Sequence, residues 1–90
     1  EIFTSWGKET AHKYTREALE NALHALDSGE YGMILRAKGM VESTDGSWIY
    51  CDMVPGEYEL RDGEPDYTGR LVVIGTEIHP HELEAIFGLN

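Results

Sequence analysis

The sequence predicts a two-layer α+β domain, a mostly antiparallel sheet of four to five strands with two helices, in the order β-α-β-β-β-β-α. Three observations predict it. Tyr31 to Val54 reads as a long hairpin, because apolar residues recur at every second position on both sides of an Asp45-Gly46 turn signal. A stretch after Thr15 and a shorter one after Pro80 instead repeat apolar residues at three- and four-residue spacing. Gly69-Arg70-Leu71-Val72-Val73-Ile74-Gly75 is apolar on both faces in its middle, the pattern of a central strand covered on both sides.

Taken in order, Glu1 to Trp6 is expected to be a short strand and Gly7 to Lys13 a polar connection. Thr15 then caps a helix, with Tyr14 and Leu19 as a hydrophobic staple around it. Ala18, Leu19, Ala22, Leu23 and Leu26 form its apolar stripe, and Gly29 ends it. In the hairpin, Tyr31, Met33, Leu35, Ala37 and Val41 share one face with Ile49, Cys51 and Met53 of the return strand. A two-residue Asp45-Gly46 turn would mix apolar and charged residues on each face. A three-residue Thr44-Asp45-Gly46 loop pairs Val41 with Ile49 and Lys38 with Asp52, so it is the register expected.

Pro55-Gly56 marks a turn, and Glu57 to Arg61 alternates as an edge strand with Tyr58 and Leu60 inward. Asp62 to Thr68 is an acidic loop. The final helix takes Pro80 at its first position, Glu82 reaching back to the cap, an Ile78–Leu83 staple and Gly88 as its stop.

Ninety residues with 41% hydrophobic content suit a single domain with one core. A formal net charge of −10 argues against nucleic acid and against anionic membrane surfaces as partners. A single cysteine leaves no internal disulfide, so a reducing cytoplasmic location is expected. No apolar run approaches the ~20 residues that span a bilayer. The chain opens without methionine on what reads as a strand already under way, so it is expected to be a piece of a longer protein.

Several segments carry a resemblance. Phe3-Thr4-Ser5-Trp6-Gly7, Leu26-Asp27-Ser28-Gly29-Glu30-Tyr31-Gly32, Leu35-Arg36-Ala37-Lys38-Gly39, Val54-Pro55-Gly56-Glu57-Tyr58-Glu59 and Pro65 to Gly75 resemble the C-terminal domain of the CobW family across nearly the whole chain. The resemblance implies a parent GTPase that handles metals, in cobalamin synthesis or metal homeostasis, with GTP and Mg and a Zn or Co site outside this domain. It implies an accessory module that contacts its own N-terminal GTPase domain or a metal-requiring client protein. The chain has neither a Gly-x-x-x-x-Gly-Lys-Ser/Thr phosphate loop nor a Cys-x-Cys-Cys segment, so GTP hydrolysis and the family's main metal site do not carry over, and this piece is expected to be non-catalytic.

Two candidate sites remain. His79 and His81 place two imidazoles close together for Zn or Co, though a closed site needs four ligands and nothing nearby in sequence completes the set. Asp62, Glu64 and Asp66 alternate as in a calcium loop, but Tyr67 and Val73 stand where that loop needs glycine and glutamate. The second site is the outward face of the hairpin, where Trp48, Tyr50, Arg36, Lys38 and Asp52 mix aromatic and paired charged groups as protein interfaces do. A helix of the same domain lying over these residues is the competing expectation. Weak self-association through exposed strand edges is a further alternative.

Overall fold

The computed structural model describes residues 2–89, and Glu1, the first residue of the expected opening strand, lies outside them. The elements are β1 (Thr4–Thr10), α1 (Arg16–Asp27), β2 (Met33–Glu42), β3 (Trp48–Val54), β4 (Glu57–Gly63), β5 (Gly69–Thr76) and α2 (Pro80–Ile86). The five strands form one sheet in the order β1-β5-β2-β3-β4, with every neighbour antiparallel. β5 is an interior strand, flanked by β1 and β2, and β4 is an edge, both as expected. The opening strand starts later and runs through Gly7 to Thr10, where a polar connection was expected. It is an edge strand whose backbone pairs with all of β5 from Gly69 to Gly75, so its polar side chains remain in solvent.

The hairpin has the three-residue register. Val41 opposes Ile49, Lys38 opposes Asp52, and the Ser43 N–H donates to the Ser47 carbonyl at 2.7 Å across the loop. Gly46 takes φ 90°, the left-handed position that this loop requires.

One expectation about the hairpin fails. Tyr31, Met33 and Leu35 do not share the buried face of Ala37 and Val41. A bulge between Ile34 and Arg36 shifts the alternation, so Ile34 is buried while Met33 and Leu35 are exposed. One extra residue in a strand reverses the facing of everything before it.

Both helices lie on one side of the sheet. Thr15 caps α1, its hydroxyl accepting from the Ala18 N–H at 3.0 Å, and Leu19, Ala22, Leu23 and Leu26 are buried. They meet Ile34, Ala37 and Val41 of β2, Ile49, Cys51 and Met53 of β3, and Leu71 and Val73 of β5 in one cluster. Burying each such leucine contributes about 1.5–3 kcal/mol. Tyr58 and Leu60 pack against this cluster from β4.

α2 starts at Pro80 with Ile78 and Leu83 both buried, but His79 makes no side-chain cap hydrogen bond. Phe87 stacks on Trp6 of β1 with ring centres 6.0 Å apart, and the buried Tyr14 hydroxyl donates to the Phe87 carbonyl at 2.6 Å. Those two contacts fasten the end of the chain to its beginning. The apolar middle of β5 predicts cover on both sides, and the structure covers it on one only. Val73 is fully buried beneath the helices, while Val72 is 38% exposed on the opposite face. Two short helices cover one side of a five-stranded sheet and leave the other without a helix over it.

Candidate docking surface

The face without helices is built from alternate residues of all five strands, with Glu9 of β1 at one edge opposite Arg70. The registers place Arg70, Val72 and Ile74 of β5 beside Met40, Lys38 and Arg36 of β2. Next come Tyr50 and Asp52 of β3, and then Arg61 and Glu59 of β4. Four of the seven cationic residues stand here, Arg36, Lys38, Arg61 and Arg70, in a chain whose formal net charge is −10.

Asp52 is the hub. One of its oxygens accepts from Arg36 at 3.2 Å and the other from Arg61 at 2.7 Å. Partial burial works against its charged form, but the Arg61 hydrogen bond and the charges of Arg61, Lys38 and Arg36 outweigh this and hold its carboxyl below the usual range. Lys38 does stand opposite Asp52, as the register requires. With both carboxylate oxygens taken by guanidinium groups, it acts on Asp52 only at longer range and forms no ion pair among the described residues.

The other cations are held in place by tyrosines. Arg61 lies 5.9 Å from the centre of the Tyr50 ring, and Arg70 lies 5.0 Å from that of Tyr67. Tyr50 leans across Gly63, where a Cβ would collide with its ring, and its hydroxyl donates to the Glu64 carbonyl at 2.9 Å. Arg70 also pairs with Asp66 at 3.3 Å and with Glu9 at 3.7 Å. Between these groups lies an open depression of about 390 Å³ lined by Lys38, Met40, Tyr50, Arg61, Arg70 and Val72.

The structure thus brings together Arg36, Lys38, Tyr50 and Asp52 on one face. Trp48 belongs to the same side by alternation and is absent from the helix-side cluster, yet it is only 7% exposed. The connection from β4 to β5, residues 64–68, must pass the Trp48 end of β3. It is tied down by Tyr50, by Arg70, and by Thr68, whose hydroxyl donates to the Thr10 carbonyl at 3.3 Å. Trp48 therefore fastens this end of the face and offers little surface for contact. Arg61, Arg70, Met40 and Val72 were not among the residues expected at this site. Each falls on an outward position of its strand, but only the observed strand order sets β5 and β4 on either side of the hairpin.

The remaining candidates stand apart from this face. His79 and His81 are exposed at the start of α2. The side chain of His81 is 98% exposed, with Nδ1 3.9 Å from a Glu84 oxygen. Among the described residues no three His, Cys, Asp or Glu side chains converge as metal ligands. Asp62 pairs with Arg16 at 3.1 Å, and Asp66 with Arg70, so the alternating acids point to different partners. Cys51 is buried under α1, and burial pushes its thiol up to about 12, with the charge of Asp52 adding to the effect. A thiol so protonated is a poor nucleophile.

Comparison with known proteins places this architecture. No curated protein matches the chain. Among solved structures, the Zn(II)-bound YjiA GTPase from E. coli aligns with a TM-score of 0.79 at 23% identity, over 98% of this chain and 30% of that one. A Zn(II)-bound triple mutant of the YjiA GTPase aligns with a TM-score of 0.81 at 20% identity, over 96% of this chain and 29% of that one. At these identities the likeness establishes a shared fold, and the chain spans about 30% of the length of the solved GTPase. The family model for the cobalamin synthesis protein cobW C-terminal domain matches residues 3–88. With nearly its whole length inside that match, the chain belongs to the CobW C-terminal domain family.

Proposed function

We propose that this chain is a non-catalytic accessory domain of a cytoplasmic, CobW-like, GTP-dependent metallochaperone serving cobalamin synthesis or metal homeostasis. Its role is docking: the open sheet face packs against the parent's own N-terminal GTPase domain or a metal-requiring client, and GTP-dependent movement changes that contact. GTP, Mg and Zn or Co belong to the parent in this reading, because the chain carries no phosphate loop or cysteine metal motif.

The observation that carries the reading is the uneven covering of the sheet. Both helices bury one face, while the other keeps Val72 at 38% exposure beside four cations and two tyrosines. Apolar area mixed with arginine and tyrosine is the composition of a protein interface. The family match and the 30% coverage of a solved GTPase support a larger parent as the body on which it docks.

The test is binding in trans between the 90-residue chain and the separately produced GTPase domain of its parent. Val72→Asp is expected to abolish measurable binding while leaving the circular dichroism spectrum unchanged. Equal binding by the variant would move the docking face elsewhere. Sedimentation of the chain alone tests self-association through the edge strands β1 and β4. Calorimetric titration with Zn²⁺ and Co²⁺ tests His79 and His81, and binding at micromolar affinity or tighter would favour the direct metal-binding alternative.

A further inference from the structure

The charge arrangement on the open face identifies its partner chemically. We propose that the depression between β5, β2, β3 and β4 receives an acidic amphipathic segment of a partner protein. One carboxylate of that segment reaches Lys38, with Arg70 and Arg61 on either side, and an adjoining apolar side chain rests on Val72 and Met40. This inference rests on the docking reading above and adds the chemistry of the occupant.

Three features carry it. The first is the concentration of charge. More than half of the chain's cations stand on this one face although acids outnumber bases 17 to 7 overall. The second is the difference in how those cations are satisfied. Arg36 and Arg61 share Asp52, and Arg70 has Asp66 and Glu9, but Lys38 in their midst has no paired carboxylate among the described residues. An ammonium group beside guanidinium groups already fixed by carboxylates and aromatic rings is a preorganised position for one more carboxylate.

The third is the surround. Val72 and Met40 line the depression with the cations, and Glu9, Glu59 and Asp66 stand around it. A nucleic acid, with a phosphate at every step, would meet those acids. A peptide with spaced carboxylates and apolar residues between them does not. An amphipathic helix laid on this face would complete a third layer, matching what α1 does on the other side.

The probe is a blocked amphipathic helical peptide whose leucine stripe is bordered by glutamates, titrated into the ¹⁵N-labelled chain. Its counterpart with lysines in place of the glutamates and an oligodeoxythymidylate serve as controls. The glutamate peptide is expected to shift the amides of Lys38, Met40, Tyr50, Arg70 and Val72. Lys38→Glu should weaken binding by about tenfold or more, whereas Arg16→Glu, on the helix side, leaves it unchanged. The lysine peptide and the oligonucleotide are expected to leave these amides in place. Equal shifts with either control, shifts confined to other residues, or no shift at all would overturn the proposal. If the peptide fails while the GTPase domain still binds in trans through Val72, docking stands and the acidic occupant falls. If the peptide binds and the trans complex does not form, the acidic site stands and the identity of its partner falls.

Discussion

The two faces of the sheet are made by the same five strands, yet they are held together by different forces. Beneath the helices, Val41, Ile49, Met53, Leu71 and Val73 are closed from water and met by Leu19, Leu23 and Leu26. On the far side the order comes from a carboxylate shared between two arginines and from guanidinium groups resting on tyrosine rings. Dispersion and burial stabilise the first face strongly and without direction. Exposed ion pairs stabilise the second only weakly, at about 0–1 kcal/mol each, but they fix where charges point. The helix side makes the fold, and the open side presents a pattern.

Substitutions break or sharpen that contrast. Trp48→Ala has the largest expected effect, about 3–5 kcal/mol, because Trp48 sits on the open side but is closed off from solvent. A loss in chemical denaturation of less than about 1 kcal/mol would mean that this end of the face is open. Leu23→Ala is expected to cost about 2–5 kcal/mol, the price of a cavity under α1. Tyr14→Phe removes the donor to the Phe87 carbonyl and leaves a buried acceptor unpaired, for about 1–3 kcal/mol. The thermal midpoint should fall in step with each. Lys38→Gln should stay within about 0.5 kcal/mol of the unsubstituted chain, since its charge acts on Asp52 only at longer range and forms no ion pair among the described residues.

The faces also divide by pH. Burial, and then the charge of Cys51, raises the Tyr14 phenol from 10.0 to about 12, and burial with the Asp52 charge raises the Cys51 thiol from 9.0 to about 12. Both acids are kept protonated by the fold. Their contribution is fully present below their unfolded values and is lost as the pH climbs from about 9 through about 12. Asp52 is shifted the other way. The stability it contributes is present above the ordinary carboxylate value of about 3.9 and is lost as the pH falls through its lowered native value. Stability followed by circular dichroism should therefore decline at alkaline pH in the parent chain and less steeply in Cys51→Ala. Asp52→Asn should flatten the acid limb and, by removing one of the charges that raise the Cys51 thiol, soften the alkaline limb slightly.

Much of the helix side was legible in the sequence, because its signals are local and repeat. The Thr15 cap, the leucine stripe and the Thr44-Asp45-Gly46 loop each state their structure within a few residues, and the facing of Ile49, Cys51 and Met53 follows from the loop. The bulge at Leu35 leaves no mark in Met33-Ile34-Leu35, where every residue is apolar and either facing looks acceptable. The open face was half legible. Arg36, Lys38, Tyr50 and Asp52 lie together because one hairpin carries them. Arg61 and Arg70 join them only through a strand order that no local pattern encodes. The burial of Trp48, on the side without helices, is not written in its alternation with Tyr50 and Asp52.

The central claim is that the open face is a docking surface, and lysine reactivity tests it most directly. The chain has three lysines, with Lys8 paired to Glu84 on the helix side, Lys13 beside Glu42, and Lys38 in the open face. Acetylation read by mass spectrometry, in the free 90-residue chain and in the full-length parent, is predicted to show Lys38 protected in the parent while Lys8 and Lys13 react as before. Lys38 reacting equally in both would contradict the account.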